Sequence, residues 1–411
     1  MIKSVKLGEV ARISSGGTPS RANPSYWNGN IPWVKTTQIQ NCVITPKDVD
    51  EWITEEGLKN SSAKMVPAGT IVLGMIGQGK TRGQVGYLSF DACTNQNAAT
   101  ITCSNECDSW FIYQYLLFNY ENIRALSNSS GQGNLNLGLV EIIPITLPSL
   151  LQQKKIAKLL GTWDNAIEKT EALIAAKEKQ FEWLCQTYFK PGNSTNSGWE
   201  KHKIASFVTV RNEREVPSEE VPLYSLTIEN GVTAKTDRYN REFLVIDKGG
   251  KKYKVVHPKD IVFNPANLRW GAIARSEVEH KVVLSPIYEV LKVDENKIDS
   301  DFLTHALTCS RQIAIFATMV EGTLVERMAV KIDTFLSCHI HVPSSKEEQK
   351  NIAHVLNLSK QEISLLKKTL EQYRSQKRGL MQKLLTGEWQ VGSSQHLSEE
   401  TCQELSREGV A

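Results

Sequence analysis

The sequence contains no uninterrupted apolar run long enough to span a bilayer, and it carries no large excess of charge of either sign. Its 48 basic and 45 acidic residues leave a formal net charge of +3, which permits binding to nucleic acid without requiring it. The first residues, Met1-Ile-Lys-Ser-Val-Lys, lack the apolar core of a signal peptide, so we expect a cytoplasmic protein. A chain of 411 residues, 40% of them hydrophobic, is expected to form two or three globular domains.

The sequence also lacks a second metal-type cysteine pair that could complete a four-ligand site. The eight cysteines are scattered along the chain, which favours reduced thiols over a disulfide framework. The nearest approach to a ligand cluster is Cys338-His339-Ile340-His341. In a strand the two histidines share one face and the cysteine lies on the other, so we expect no metal site there.

One short stretch matches the phosphate-binding loop of nucleotide hydrolases. Gly74-Met-Ile-Gly-Gln-Gly-Lys-Thr81 fits the pattern G-x-x-x-x-G-K-[ST] at every required position. Such a loop needs a strand before it and a helix N-terminus after it. The residues that follow, Arg82-Gly-Gln-Val-Gly-Tyr-Leu88, include two glycines and then residues that favour β-structure. The stretch therefore predicts a hairpin loop, and a P-loop nucleotidase stays an alternative.

The strongest internal signal is a repeat. Residues 147–160 and 342–356 share a Pro-Ser start and align with one inserted residue, after which the register continues without gaps through the following helix. The matched positions place Gln153, Lys154, Ile156, Ala157 and Leu160 on Gln349, Lys350, Ile352, Ala353 and Leu356.

Each copy of the repeat is followed by apolar residues spaced alternately four and three apart, the pattern of a coiled-coil seam. The first seam consists of Ile156, Leu160, Trp163, Ile167, Thr170, Ile174, Lys177, Phe181, Leu184 and Tyr188. The second consists of Ile352, Leu356, Ser359, Ile363, Leu366, Leu370, Tyr373, Lys377, Leu380 and Leu384. Two equivalent helices packed antiparallel place the segment before each helix at opposite ends of a rod, so the sequence predicts a pseudo-two-fold symmetric dumb-bell.

The fold class expected from these patterns is α+β, with two β-rich globular modules joined by two long helices in an antiparallel coiled coil. The predicted division is a first module at 1–146, a helix at 147–191, a second module at 192–341, a helix at 342–387 and a mobile tail at 388–411. The modules share a faint outline, for example Ile71-Val72 against Ile261-Val262, but their loops differ.

The loops of both modules mix amide and basic side chains, which suit contact with the grooves and phosphates of DNA. Glycines in the first loop would allow close approach of the backbone to a duplex. The predicted DNA contacts are Lys35, Gln78, Lys80 and Arg82 in the first module, and Lys251, Lys252, the Asn267-Leu268-Arg269 run and Arg275 in the second.

These features together resemble the specificity (S) subunits of Type I restriction-modification enzymes, over the chain to about residue 390. The residues that carry the resemblance are the two copies of the helix start, the heptad helices, and three stretches of the first module: Gly16-Gly-Thr-Pro-Ser-Arg21, Ile31-Pro-Trp-Val-Lys35 and Thr94-Asn-Gln-Asn97. The resemblance implies that each module is a target recognition domain that reads one half of a bipartite DNA sequence. It also implies that the helices set the spacing between the two halves.

The same resemblance implies partners. Two modification (methyltransferase) subunits would dock on the helices, at starts marked by Gln153, Lys154, Ile156, Gln349, Lys350 and Ile352. Restriction subunits would join the assembly, and S-adenosylmethionine, ATP and Mg²⁺ would be used by the partner subunits, with no cofactor or metal in this chain.

The chain itself is expected to be non-catalytic. An adenine methyltransferase is expected to carry an Asn/Asp-Pro-Pro-aromatic motif, whereas Asn264-Pro-Ala-Asn267 departs from it at the third and fourth positions. Besides the P-loop nucleotidase, a coiled-coil adaptor whose end modules bind proteins stays an alternative.

Overall fold

The computed structural model describes residues 2–77, 79–129, 133–190, 198–234, 250–322 and 328–392. The chain forms two compact units, Met1–Thr170 with Thr369–Ala411, and Glu171–Lys368. The boundary between the units crosses two long helices, so each unit holds one module and a part of both helices. The division into five segments stays a prediction. Within the described residues, no helix is both long and apolar enough to cross a membrane.

The first unit is built mainly from short strands. They are β1 (Lys3–Lys6), β2 (Ala11–Ser15), β3 (Trp27–Val34), β4 (Cys42–Ile44), β5 (Trp52–Ile53), β6 (Ile71–Gly74), β7 (Val85–Leu88), β8 (Cys93–Thr94), β9 (Ala98–Cys103) and β10 (Pro144–Leu147). Its shorter helices are α1 (Leu7–Val10), α2 (Glu55–Lys59), α3 (Ser109–Phe118), α4 (Tyr120–Ser129) and α5 (Leu137–Glu141), followed by the long α6 (Leu150–Tyr188). The largest sheet has the order β2-β9-β6-β7-β4, and a smaller one has the order β5-β3-β8.

The second unit repeats this plan. Its strands are β11 (Trp199–Lys203), β12 (Val208–Val210), β13 (Arg214–Glu215), β14 (Tyr224–Thr227), β15 (Gly231–Ala234), β16 (Tyr253–Val256), β17 (Ile261–Phe263), β18 (Ile273–Arg275), β19 (Val282–Leu284), β20 (Glu289–Val293) and β21 (His339–Pro343). Its helices are α7 (Ser300–Thr308), α8 (Ser310–Thr318), α9 (Ile332–Ser337) and the long α10 (Lys346–Leu385). The sheet order β12-β20-β17-β18 matches β2-β9-β6-β7 of the first unit.

The equivalence of the modules extends to individual backbone pairs. Ile71 pairs with Ile101 as Ile261 pairs with Leu291. In both modules the first and last strands pair antiparallel, β1 with β10 and β11 with β21, so each module closes where its long helix begins. The predicted α+β class, with two β-rich modules and two long helices, is confirmed.

The two long helices run antiparallel in each unit along the predicted seam. All twenty seam positions are buried or half-buried, whereas most other positions of the central turns are exposed. In the first unit the rings of Trp163 and Tyr373 lie 5.6 Å apart and Lys377 pairs with Asp164. In the second unit the Lys177 ammonium lies 2.8 Å from Glu362. Both lysines of the seam therefore face a carboxylate, which offsets the cost of placing a charge between helices.

A buried glutamine ties each module to the start of its long helix. Gln153 Oε1 accepts from the backbone N–H of Asp108 at 2.9 Å, and its Nε2 donates to the carbonyl of Pro148. Gln349 makes the same pair of bonds with Asp299 and with the carbonyl of Pro343. Both aspartates cap the next helix, α3 or α7, by accepting from a backbone N–H at 2.9 Å.

This burial corrects part of the predicted docking surface. Gln153 and Gln349 are 1% and 2% exposed, and Ile156 and Ile352 lie in the core of their own units. Side chains already occupied within the chain are not available to a partner. Lys154 and Lys350 are exposed and stay predictions.

The predicted mobile tail is held at its start. Gln152 donates to the carbonyl of Val391 at 3.1 Å and accepts from its N–H at 3.2 Å, and Lys155 Nζ donates to the carbonyl of Gly392. Residues 388–392 therefore belong to the first unit, whereas 393–411 lie outside the described residues.

A buried histidine makes the stability of the second unit dependent on pH. His305, with its Nε2 2.7 Å from Asn357 Oδ1, has its pKa lowered from 6.5 to about 4 by burial and by the nearby Lys360. The unfolded chain takes up this proton near pH 6.5 and the folded chain only near pH 4, so stability falls as the pH falls through this window.

We expect His305→Gln to remove a pH-dependent contribution of about 3 kcal/mol between these limits. Glutamine is the natural choice, because Gln114 occupies the equivalent turn of α3 in the first module and is fully buried there. The measurement is urea unfolding of wild type and variant at several pH values from 7.5 to 4. Parallel profiles for the two proteins would contradict this role of His305.

Candidate nucleic-acid interface

The stretch that matches a phosphate-binding loop connects two antiparallel strands. Leu73 of β6 pairs with Val85 of β7, and the Gly74 and Gly83 backbones close the loop through a bond of 2.8 Å from the Gly83 N–H. A strand follows Thr81 where a nucleotide-binding loop requires a helix N-terminus. The predicted hairpin is confirmed, and the loop lacks the geometry of a nucleotide site.

The residues of this loop that were predicted to contact DNA differ in exposure. Lys80 is exposed, and its carbonyl accepts a bond of 2.7 Å from the Tyr120 hydroxyl, which itself accepts from Arg124. Arg82 is only 9% exposed and donates to the carbonyl of Gly133, so it holds the loop and is not available to DNA. Gln78 lies outside the described residues.

The three stretches that carry the family resemblance in the first module meet in the fold. The N–H of Gly17 donates to the carbonyl of Thr94 at 2.8 Å, and Trp33 Nε1 donates to the carbonyl of Gly17 at 2.8 Å. A Cβ at Gly16 would lie 1.9 Å from the Thr94 carbonyl oxygen, so only glycine fits this close approach. The motif residues therefore form one packed scaffold at the β3–β8 edge.

Lys35 emerges from that scaffold but is already paired. Its ammonium lies 2.9 Å from Asp50 and 2.8 Å from Glu51. Hydrogen bonds to Glu51 and Asp50 raise the pKa of Lys35. The prediction that Lys35 contacts DNA treated it as a free charge, and the structure corrects that premise.

In the second module the hairpin equivalent to β6–β7 is β17–β18, and its turn presents a different surface. Asn267 is exposed, but Leu268 beside it is fully buried, which removes that position from the predicted contacts. The Arg269 guanidinium lies 4.0 Å from the centre of the Trp270 ring. Trp270 is 58% exposed, whereas Arg269 is half-buried and also donates to Met328 Sδ at 3.5 Å, so the tryptophan forms the exposed surface of this turn.

The remaining basic residues predicted to contact DNA in the second module also differ, because one is paired within the module and two are exposed. Arg275 bonds to Glu277 at 2.9 Å and to Asp301 at 2.6 Å, so its charge is neutralised within the module. Lys251 and Lys252 are both exposed, with the Lys251 ammonium 6.0 Å from the Tyr253 ring.

The sequence patterns did not indicate two kinds of residue that the structure places at or near the surface. The first are the exposed apolar side chains Ile76 and Trp270, one in each of the equivalent hairpin loops. The second is Arg21, whose guanidinium lies 3.7 Å above the Trp27 ring and 2.5 Å from Glu51. Large apolar residues inside otherwise polar loops are the signal that points to the first kind.

Together the modules form a duplicated α+β scaffold in which the framework is repeated and the loop chemistry is not. This fold is similar to that of the S subunit of a Type I restriction-modification system from M. genitalium, which superposes with a TM-score of 0.60 at 15% identity, over 94% of this chain and 96% of that one.

The sequence comparisons give the family. Residues 2–177 match the model of the Type I restriction modification DNA specificity domain. The chain is 24% identical over 298 residues to the MjaIX specificity subunit of Methanocaldococcus jannaschii, covering 63% of this chain and only 64% of that relative. It is 20% identical over 410 residues to the MjaVIII specificity subunit of the same organism, covering 94% and 92%. The family match thus covers the first module and most of its long helix, and the chain is similar to the specificity subunits of Type I restriction enzymes.

The two basic residues of the first hairpin loop provide a matched pair of variants. We expect Arg82→Ala to lower the free energy of unfolding by about 1–3 kcal/mol, because the Gly133 carbonyl loses its donor and a cavity remains. Lys80→Ala removes an exposed side chain and should change stability by less than about 0.5 kcal/mol. Chemical denaturation of the full chain measures both, and equal losses would contradict the assignment of Arg82 to the scaffold.

Proposed function

We propose that this chain is the DNA-recognition subunit of a Type I restriction-modification complex, with each module reading one half of a bipartite target. The observation that carries the proposal is that the two modules repeat one framework but carry unlike loops. The pairing of β6, β7 and β9 recurs in β17, β18 and β20, while the first hairpin loop carries Lys80 and the second carries Arg269 and Trp270. A repeated support with different exposed groups suits the reading of two different base sequences.

The side chains proposed to contact DNA are those that are exposed. In the first module they are Lys80 and Ile76, and Gln78 stays a prediction. In the second they are Asn267, Trp270, Lys251 and Lys252, with the half-buried Arg269 stacked on Trp270. Lysines supply phosphate contacts, and amide and guanidinium groups supply hydrogen bonds to base edges. Trp270 offers an apolar surface to sugars or thymine methyl groups.

The long helices are proposed to set the spacing of the half-sites and to dock two methyltransferase subunits. At about 1.5 Å per residue, the 40 residues of α10 extend over roughly 60 Å. Besides Lys154 and Lys350, the helices expose Trp183 at 60% and Leu365 at 55%. Exposed large apolar residues on a helix that already buries its seam favour a protein partner. Methylation with S-adenosylmethionine and cleavage with ATP and Mg²⁺ are assigned to the partner subunits, and this chain to a non-catalytic role in the cytoplasm.

Two alternative functions are a P-loop nucleotidase and a protein-binding adaptor. The hairpin at Gly74 and Thr81 argues against a P-loop nucleotidase, since a strand occupies the place of the required helix. If the chain were an adaptor whose modules bind only proteins, its affinity for duplex DNA would depend neither on base sequence nor steeply on salt.

The test is duplex binding by the assembled complex with its methyltransferase subunits, followed by fluorescence anisotropy at several salt concentrations. We expect affinity to fall steeply with salt, and Lys80→Ala to lower the slope of log affinity against log salt by about 1. Arg12→Ala is a matched control, because Arg12 is an exposed arginine of β2 outside the hairpin loop and should leave the slope unchanged. Binding of the complex that ignores both salt and sequence would support the adaptor.

A further inference from the structure

One face of the β11–β21 pair gathers basic side chains. Lys201 lies directly across from His341, and Lys203 lies across from His339. Residues two apart on a strand, and their cross-strand partners, project from the same side of the sheet. The other side carries Ile340 and Val342, which are buried in the core of the second module. The solvent side of this strand pair therefore carries two lysines and two histidines.

Three of these basic side chains line a pocket of the second module. Lys201, His339 and His341 line it from the β11–β21 pair. Arg311 and Gln312 line it from the first turn of α8. Gln312 is buried and donates to Cys338 Sγ at 3.2 Å, so two of the lining residues hold each other in place. The pocket thus combines two permanent cations, two imidazoles and the N-terminal end of a nine-residue helix.

The charged residues that line the pocket are all basic. Of the lining residues that the structure describes, none is acidic. One carboxylate lies outside the lining: Glu182 accepts from the hydroxyl of Ser310, the first residue of α8, and is outnumbered by Lys201 and Arg311. Burial lowers the pKa of His341, and the positive charges of Lys201, Arg311 and His339 lower it further. Positive charge of this kind favours an anion over a metal cation.

We propose that this pocket binds a tetrahedral oxyanion of the phosphate class, held by Lys201 and Arg311 with the two histidines and the start of α8. Arginine and lysine are the side chains that bind phosphate oxygens, and a helix N-terminus adds donors directed at an anion. The phosphate group comes either from a free phosphate compound or from the backbone of a nucleic acid. The chemistry of the site is the same for both.

The test uses the full chain and inorganic phosphate, with chloride at equal ionic strength as the reference. We expect phosphate to raise the thermal unfolding midpoint above that in chloride, and to raise the pKa of His341 in an NMR titration, because a bound anion favours the imidazolium. Arg311→Gln and Lys201→Gln should each weaken phosphate binding about tenfold, as expected for loss of a charge-assisted hydrogen bond.

Lys203→Gln is the matched control, because Lys203 is on the same face and outside the pocket. It should leave phosphate binding within twofold of wild type. A short duplex that competes with phosphate in wild type but not in Arg311→Gln identifies nucleic acid as the source, and a duplex that fails to compete identifies a free phosphate compound. Equal midpoints in phosphate and chloride, or undiminished binding in Arg311→Gln, would overturn the proposal.

Discussion

A buried glutamine at the start of each long helix is the contact on which the rest of the fold depends. Its carbonyl oxygen accepts from the backbone of the residue that caps α3 or α7, and its amide donates to the proline carbonyl just before the helix. One side chain therefore fixes the end of the last strand, the beginning of the long helix and the cap of a helix inside the module. Leaving these buried groups unpaired would cost about 1–3 kcal/mol for each. The pair Gln153 and Gln349 thus explains why the Pro-Ser…Gln-Lys pattern appears twice.

Near this glutamine, the two modules contact their long helices at equivalent positions but through different polar side chains. Gln114 of α3 bonds to Asp164 of α6, whose carboxylate also pairs with Lys377 of the opposite helix. At the equivalent place in the second unit, His305 bonds to Asn357 and Lys360 lies 5.6 Å from the Phe181 ring. The framework is repeated while the polar groups that join each module to its helices are not. The same separation of framework and surface governs the hairpin loops, where Lys80 in one module corresponds to an arginine stacked on a tryptophan in the other.

Local and periodic patterns were enough to predict the repeat, the coiled-coil seam and the hairpin at Gly74, because helix period, turn residues and strand composition are properties of neighbouring residues. The site was predicted less well, because exposure and neutralisation are decided by residues distant in the sequence. Lys35 is paired with Asp50 and Glu51, and Arg82 is held by Gly133, and no local pattern indicates either contact. A repeated polar residue in a helix, such as Gln153, resembles a docking residue in the sequence, because its buried partners Asp108 and Pro148 are distant or backbone groups.

The central claim is that two modules on one repeated framework read two separate halves of a DNA target. It is tested most directly by exchanging residues 1–146 for the first module of a related specificity subunit and sequencing methylated bases in cells that hold the methyltransferase partner. The exchange leaves Gln153 and the helix in place, provided that the incoming module carries the capping residue equivalent to Asp108. The account predicts a new methylated motif in which one half changes while the other half and the spacing persist. A motif altered in both halves, or unaltered, would contradict it.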